Sequence, residues 1–293
     1  MRFFSLLRYD LGPNMLKKPV KWIVMLLLAL FFCGMFSLDA FHYFWQGYSL
    51  QENLRAFSQH RLSIGDMFAY MMGGILPVDM ESLTDSFQFP IRWLLPHVLI
   101  LYITLPYAAA DISKQGLQIL IRTGKKTYWW LSKCIWNMVT VATCCLVYDG
   151  VICLFAILTG KSKDVLLNAE FFEKEFNAVL LNQQISAEEF AVAFLLMPML
   201  VCMSMSLLQM LLTLFMHPIC AYCIVLGYYI VGAYYVSPVF ISNYAMGTRN
   251  AVMGAYNFTS LTGMCLCGSM IFLCISLGMT RIRQMDFLQK ESM

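Results

Sequence analysis

Trp22-Ile-Val-Met-Leu-Leu-Leu-Ala-Leu-Phe-Phe-Cys-Gly-Met-Phe-Ser-Leu-Asp-Ala-Phe-His-Tyr-Phe-Trp45 runs for 24 residues with one acid and no Lys or Arg. At about 1.5 Å rise per residue a helix of that length reaches about 36 Å, enough to cross a bilayer core of roughly 30 Å. Five further runs have the same character: Ile91–Ala110, Ile135–Leu158, Phe190–Met216, Ile219–Val239 and Thr259–Thr280. Hydrophobic residues make up 60% of the 293-residue chain and charged residues 13%, so no soluble domain of ordinary size is left to place. The expected fold is all-α, a single polytopic transmembrane domain over residues 1–293 with six transmembrane helices.

Charge orients the spans. Six spans put both termini on one side, together with residues 111–134 and the 217–218 turn. That side holds 13 of the 20 Lys/Arg (Arg2, Arg8, Lys17, Lys18, Lys21, Lys114, Arg122, Lys125, Lys126, Lys133, Arg281, Arg283 and Lys290) against 4 acids. The opposite loops, with Arg92, hold 7 Lys/Arg against 11 acids. Lys and Arg concentrate in cytoplasmic loops, so both termini are expected in the cytoplasm. A net charge of +3, explained by topology, gives no reason to expect a nucleic-acid partner.

The first 21 residues do not read as a cleaved signal. They are charged and aromatic, the apolar run behind them is too long, and a small-residue cleavage site is missing. Met1–Leu11 reads as a short amphipathic helix at the inner membrane surface, broken by Gly12-Pro13-Asn14. An ordinary charged flank of the first span is the other reading. The eleven cysteines fall in or at the ends of spans, which argues against extracellular disulfides. Cys220-x-x-Cys223 has metal or redox spacing, but a second pair is not evident nearby, so small hydrophobes are the expectation.

The loop between the second and third spans reads Asp111-Ile-Ser-Lys-Gln-Gly-Leu-Gln-Ile-Leu-Ile-Arg-Thr-Gly-Lys-Lys-Thr-Tyr-Trp-Trp-Leu-Ser-Lys133. Leu117, Ile119, Leu120 and Ile121 can form one side of a short helix ended by Gly124. Tyr128, Trp129 and Trp130 follow, suited to the inner interface. A short helix held between two spans can receive a push from a cytosolic partner, although any short loop can carry a basic turn and an aromatic belt.

From this loop outward the chain resembles the permease subunits of ATP-binding-cassette exporters of the type-2 class, in the form found in Gram-positive bacteria. The matching elements occur in order: the amphipathic amino-terminal segment, Ser63-Ile-Gly-Asp-Met-Phe-Ala-Tyr-Met-Met-Gly-Gly74, Phe89-Pro-Ile-Arg-Trp93, the loop with Gly116 and Arg122, Trp129-Trp-Leu-Ser-Lys133, Leu207-Leu-Gln-Met210, His217-Pro218 and Ser242-Asn-Tyr-Ala-Met-Gly-Thr-Arg249. The resemblance implies a plasma-membrane exporter. Its partners would be a cytosolic ATPase subunit, which holds ATP and Mg, and a second permease subunit, most simply a copy of itself. The chain would be no enzyme and would carry no cofactor. Residues 112–124 would form the main coupling helix, with Gln115, Gly116, Gln118, Ile119, Arg122 and Lys125 facing the ATPase and His217 a smaller second contact. The residues agree on one point: Gly160-Lys-Ser162 lacks the first glycine of a phosphate-binding loop, Phe155 standing there. The substrate class implied is hydrophobic or amphipathic: a peptide, an antibiotic or a lipid.

Charges inside a bilayer are costly, about 2.5–3.5 kcal/mol each on insertion scales. Asp39, His42, Arg92, His97 and Asp149 all fall in the outer halves of their spans, and Asp149 is the deepest acid. One reading is a gating cluster in which Arg92 or His97 neutralises Asp149; the other is interfacial groups reaching water. Met199, Met203 and Met210 share one helical face and suit either an adaptable apolar lining or ordinary packing. In the outer loops Ser63–Leu76 reads as a helix on or dipping into the outer face, and Asp164–Leu181 as an amphipathic helix over the outer mouth. Three other classes stand beside the exporter. An intramembrane enzyme would need motifs such as His-Glu-x-x-His or Gly-x-Ser-x-Gly, which are missing. An ion-coupled transporter would show midplane charges and related halves. A non-transporting scaffold or immunity protein has no distinguishing signature.

Overall fold

A computed structural model describes residues 3–12, 19–44, 62–76, 89–113, 126–161, 165–176, 185–251, 256 and 258–284. Among them the regular structure is helical: α1 (Phe3–Leu11), α2 (Val20–Phe44), α3 (Ile64–Met72), α4 (Ile91–Ser113), α5 (Lys126–Leu158), α6 (Ala169–Phe176), α7 (Ala187–Leu212), α8 (Pro218–Tyr234) and α9 (Ser260–Gln284). Among the described residues, four segments are long and apolar enough to cross a membrane: Val20–Tyr43, Lys126–Leu158, Ala187–Leu212 and Ser260–Gln284. The apolar stretches Ile91–Leu105 and Pro218–Tyr234 are shorter.

The bundle is built around α7, which packs against α4, α5, α8 and α9, while α2 packs on α5. α2 shows how the sequence divides its faces. Met25, Ala29, Phe32, Cys33, Phe36 and Ala40 recur at steps of three and four and are buried, whereas Ile23, Leu27, Phe31 and Leu38 are exposed. Large apolar side chains on the outside are what a lipid solvent calls for, and they match the membrane-embedded character of the chain.

Several boundaries depart from the apolar runs. α5 begins at Lys126, nine residues before Ile135, and its 33 residues span about 50 Å, well beyond a hydrocarbon core of roughly 30 Å. The extension is stabilised by packing. Trp129 and Trp130 turn inward and are buried, with Trp130 Nε1 donating to Ile275 O at 3.0 Å. The Trp130 indole lies over Gly278 of α9, where an added Cβ would come within 2.1 Å of the ring. The expected aromatic belt is therefore largely a helix-packing device, and only Tyr128 of the three is exposed. α8 stops at Tyr234 rather than Val239, because Pro238 disfavours helical backbone at the residue before it and cannot itself donate a helix hydrogen bond. In α7 the turn Ala191–Leu196 is π-helical, just ahead of Pro198, and the Met197 N–H reaches back to Val192 O.

The short helices α3 and α6 are covered rather than surface-laid. α3 opens on a capping box in which Ser63 and Asp66 satisfy each other's backbone N–H groups, at 2.8 and 3.1 Å. Gly65 to Met72 are all buried. α6 buries Phe171, Phe172 and Phe176 and exposes Glu170, Glu173 and Lys174, the amphipathic pattern expected of it.

Candidate functional site

The segment from Ile241 to Asn250 is buried at every residue although it is a connection between α8 and α9. Two 3₁₀ turns, Ile241–Ala245 and Gly247–Arg249, fold it into a plug among α4, α7, α8 and α9. Its centre is Arg249, which is fully buried. One terminal nitrogen donates to Gly232 O at 2.7 Å and to Asn243 Oδ1, and the other to Ala233 O. These carbonyls belong to the last turn of α8, which has no intrahelical donors for them, and a cation also suits the negative end of the helix dipole. Burial lowers the Arg249 pKa to about 10, which leaves it cationic at neutral pH. Asn243 Nδ2 donates to Tyr235 O at 3.2 Å and Ser237 O at 2.9 Å, satisfying the chain where the helix has ended. Trp93 Nε1 donates to Ala245 O at 3.1 Å, and Thr248 Oγ1 to Gly73 O at 2.7 Å, so α3 and α4 close on the same plug. Gly74 next to it has φ +78°, a left-handed conformation that favours glycine.

Below the plug, α4, α5 and α7 enclose a cavity of about 20 Å³, room for a single water. His97, Cys145, Tyr148, Asp149, Met199 and Cys202 are among its walls, with Leu195 and Pro198 from the π-helical end of α7. The His97 ring lies against Trp93 at 4.8 Å and Tyr229 at 5.3 Å between centroids, tilted to both. Of the expected gating cluster, His97 and Asp149 thus share one cavity. Arg92 does not join them: it forms an ion pair with Glu175 of α6 and sits 3.9 Å from the Tyr70 ring centre, while the Tyr70 hydroxyl donates to Asp39. Arg92, Tyr70 and Glu175 line a separate outer pocket of about 260 Å³ with Phe89, Trp93 and Phe176. Glu175 as the partner of Arg92 was hidden in the sequence, because 83 residues separate the two.

Near the start of α5, Asp10 of α1 is buried against that helix. Its carboxylate accepts from Lys133 Nζ at 2.7 Å and from Ser132 Oγ at 2.5 Å. α1 is therefore docked as well as amphipathic, with Leu6 buried and Phe4 exposed. The sequence held one clue, a lone acid in a basic segment.

Of the expected coupling residues, Gln115, Gly116, Gln118, Ile119, Arg122 and Lys125 lie outside the described residues. His217 is exposed and caps α8, its Nδ1 accepting from the Ile219 N–H at 3.4 Å. The methionine face is divided: Met199 lines the cavity, whereas Met203 and Met210 pack into two different core clusters. All eleven cysteines are free, Cys220 and Cys223 are exposed, and the described residues include no group of three or more metal-ligating side chains. At the start of α3, burial raises the Asp66 pKa, and burial lowers that of Lys161, although each charge favours the other.

Comparison with curated proteins gives no match. Residues 22–288 match the family described as protein of unknown function DUF2705, and with nearly the whole chain covered, the protein belongs to that family.

Proposed function

We propose that this protein is the permease subunit of an ATP-binding-cassette exporter. It crosses the plasma membrane six times with both termini in the cytoplasm and pairs with a second copy of itself. A separate cytosolic subunit binds Mg and ATP and hydrolyses the nucleotide; the permease moves a hydrophobic or amphipathic substrate outward. The observation that carries the reading is the 33-residue α5. A helix this much longer than the bilayer stands out of it on the basic side. It begins directly after the 114–125 segment and is tied to α1 through Asp10 and Lys133. A push delivered at that segment would enter a long helix packed against α1, α2, α7 and α9. The order of sequence elements and the 13 basic residues on one side support the same reading.

Co-purification from native membranes in mild detergent tests it. A stoichiometric ATP-binding-cassette subunit is expected, and Gln118→Glu with Arg122→Glu should release it. A clean chain under conditions that preserve other membrane complexes would overturn the reading. The cavity shared by His97 and Asp149 favours an ion-coupled transporter as a second reading. Transport that persists without ATP but collapses with the proton gradient would select it.

A further inference from the structure

The geometry points to a binding site for a zwitterionic lipid head group, one that carries a phosphate next to a primary ammonium, in the pocket where α3, α4 and α6 meet. The pocket measures about 260 Å³, room for a head group and well beyond the roughly 10–15 Å³ that a single water needs. Its described walls carry two charges, Arg92 at the start of α4 and Glu175 at the end of α6. Around them stand Ile75, Phe89, Trp93 and Phe176. Arg92 and Glu175 hold each other, but they are not saturated. A guanidinium has five N–H donors and a carboxylate two acceptor oxygens. Arg92 Nη1 donates to Glu175 Oε1, and the guanidinium also reaches the Tyr70 hydroxyl. Among the described residues, Glu175 Oε2 and the other Arg92 donors take no hydrogen bond. The two side chains are 27% and 23% exposed, so a ligand can reach them.

The neighbouring polar groups are committed elsewhere, the Tyr70 hydroxyl to Asp39 and Trp93 Nε1 to Ala245 O. The guanidinium is held against two rings, 3.9 Å from the centre of Tyr70 and 5.8 Å from that of Phe176. An anion alone would meet Glu175, with the Asp39 carboxylate on the Tyr70 hydroxyl close by. A cation alone would meet Arg92. A ligand with both charges on adjacent groups can offer its phosphate to the open donors of Arg92 and its ammonium to Glu175 Oε2. In a membrane-embedded chain a phospholipid supplies such a group, and α4 provides for the tails. The pocket sits where the apolar stretch Ile91–Leu105 begins, and head groups lie at the ends of such stretches. Phe89, a wall of the pocket, is exposed, and so are Ile91, Leu95 and Tyr102, which share one face of α4. Acyl chains can lie along that face while the head group turns into the pocket.

This site rests on the membrane-embedded character of the chain and not on the exporter reading, and its test needs no ATPase. The full chain, delipidated in mild detergent, is titrated with phosphatidylethanolamine, phosphatidylglycerol and water-soluble glycerophosphoethanolamine, and native mass spectrometry counts the bound molecules. The wild type should hold phosphatidylethanolamine at least about fivefold more tightly than phosphatidylglycerol, the factor that corresponds to about 1 kcal/mol. Glu175→Gln should bring the two lipids to parity, a change of selectivity that a purely structural ion pair would not produce. Arg92→Gln should weaken both lipids by about fivefold or more. Equal binding of the two lipids by the wild type, or a selectivity unchanged in Glu175→Gln, would overturn the proposal. Glycerophosphoethanolamine that competes as well as the intact lipid would overturn the lipid as the occupant. Should Arg92→Gln fail to fold, the selectivity of Glu175→Gln decides alone.

Discussion

Replacing Arg249 with Met removes the centre of the outer plug while roughly preserving side-chain length. Three acceptors lose their donors: Gly232 O, Ala233 O and Asn243 Oδ1. Each buried acceptor left unmet costs about 1–3 kcal/mol. Against that, a guanidinium no longer has to be taken out of water, which returns several kcal/mol. The unpartnered Arg249 Nε also disappears. The net expectation is a loss of about 3–5 kcal/mol, the range for breaking a buried charged contact. Thermal unfolding in mild detergent, followed by tryptophan fluorescence, should then shift down by roughly 6–20 °C at about 2–4 °C per kcal/mol. Hydrogen exchange gives the local readout. Amides of residues 241–250 should exchange on the order of 10²–10⁴ times faster, since each 1.4 kcal/mol is tenfold. Arg249→Lys keeps the charge, but its single nitrogen cannot fork across two successive carbonyls and an amide, so it should recover only part of the loss. An Arg249→Met protein within about 1 kcal/mol of wild type, with 241–250 still protected, would refute the view that this side chain holds the plug.

Three further outcomes are expected. Lys133→Met should destabilise by about 3–5 kcal/mol because it strands the Asp10 carboxylate in a buried site; adding Asp10→Asn should recover part of that, and a double-mutant cycle showing no coupling would remove the ion pair as the α1–α5 link. Gly278→Ala should cost about 1–3 kcal/mol by overpacking Trp130, visible as a lower unfolding temperature and a shifted tryptophan emission; no change in either would mean that α5 and α9 can separate freely. The folded pKa of Asp66 is raised above its ordinary 3.8, so its contribution to stability is greatest below that value and is lost as pH rises through the folded pKa. Unfolding temperature should therefore fall as pH rises out of that window, and Asp66→Asn should flatten the slope; an unchanged slope in the variant would place the titration elsewhere.

How much was legible follows from the range of the forces. Apolar runs are local, and desolvation of the backbone in lipid leaves helix as the available answer, so the all-α character and the positions of the apolar helices could be read from residue order. The caps at Ser63, Asp66 and His217 and the helix stop near Pro238 rest on local signals too, although the span reads through to Val239. His97 and Asp149 could be singled out as costly groups in apolar surroundings, but their sharing of one cavity could not. That depends on how α4, α5 and α7 cross, and helix crossing is settled by side-chain shape at contacts such as Trp130 on Gly278. Sequence reasoning offers Arg92 or His97 as a partner for Asp149, beside interfacial groups reaching water; the fold gives Arg92 Glu175 from a short helix that packs over α3. The Ser242–Arg249 stretch stood out as a motif, and its role as a buried plug came from tertiary structure, which brings the unsatisfied end of α8 to a guanidinium 16 and 17 residues along the chain. The sequence by itself determined the solvent this protein folds in and the helices that solvent demands. Only the tertiary structure decided which polar groups inside those helices meet, because in lipid a polar side chain takes its partner from whatever neighbour the packing supplies.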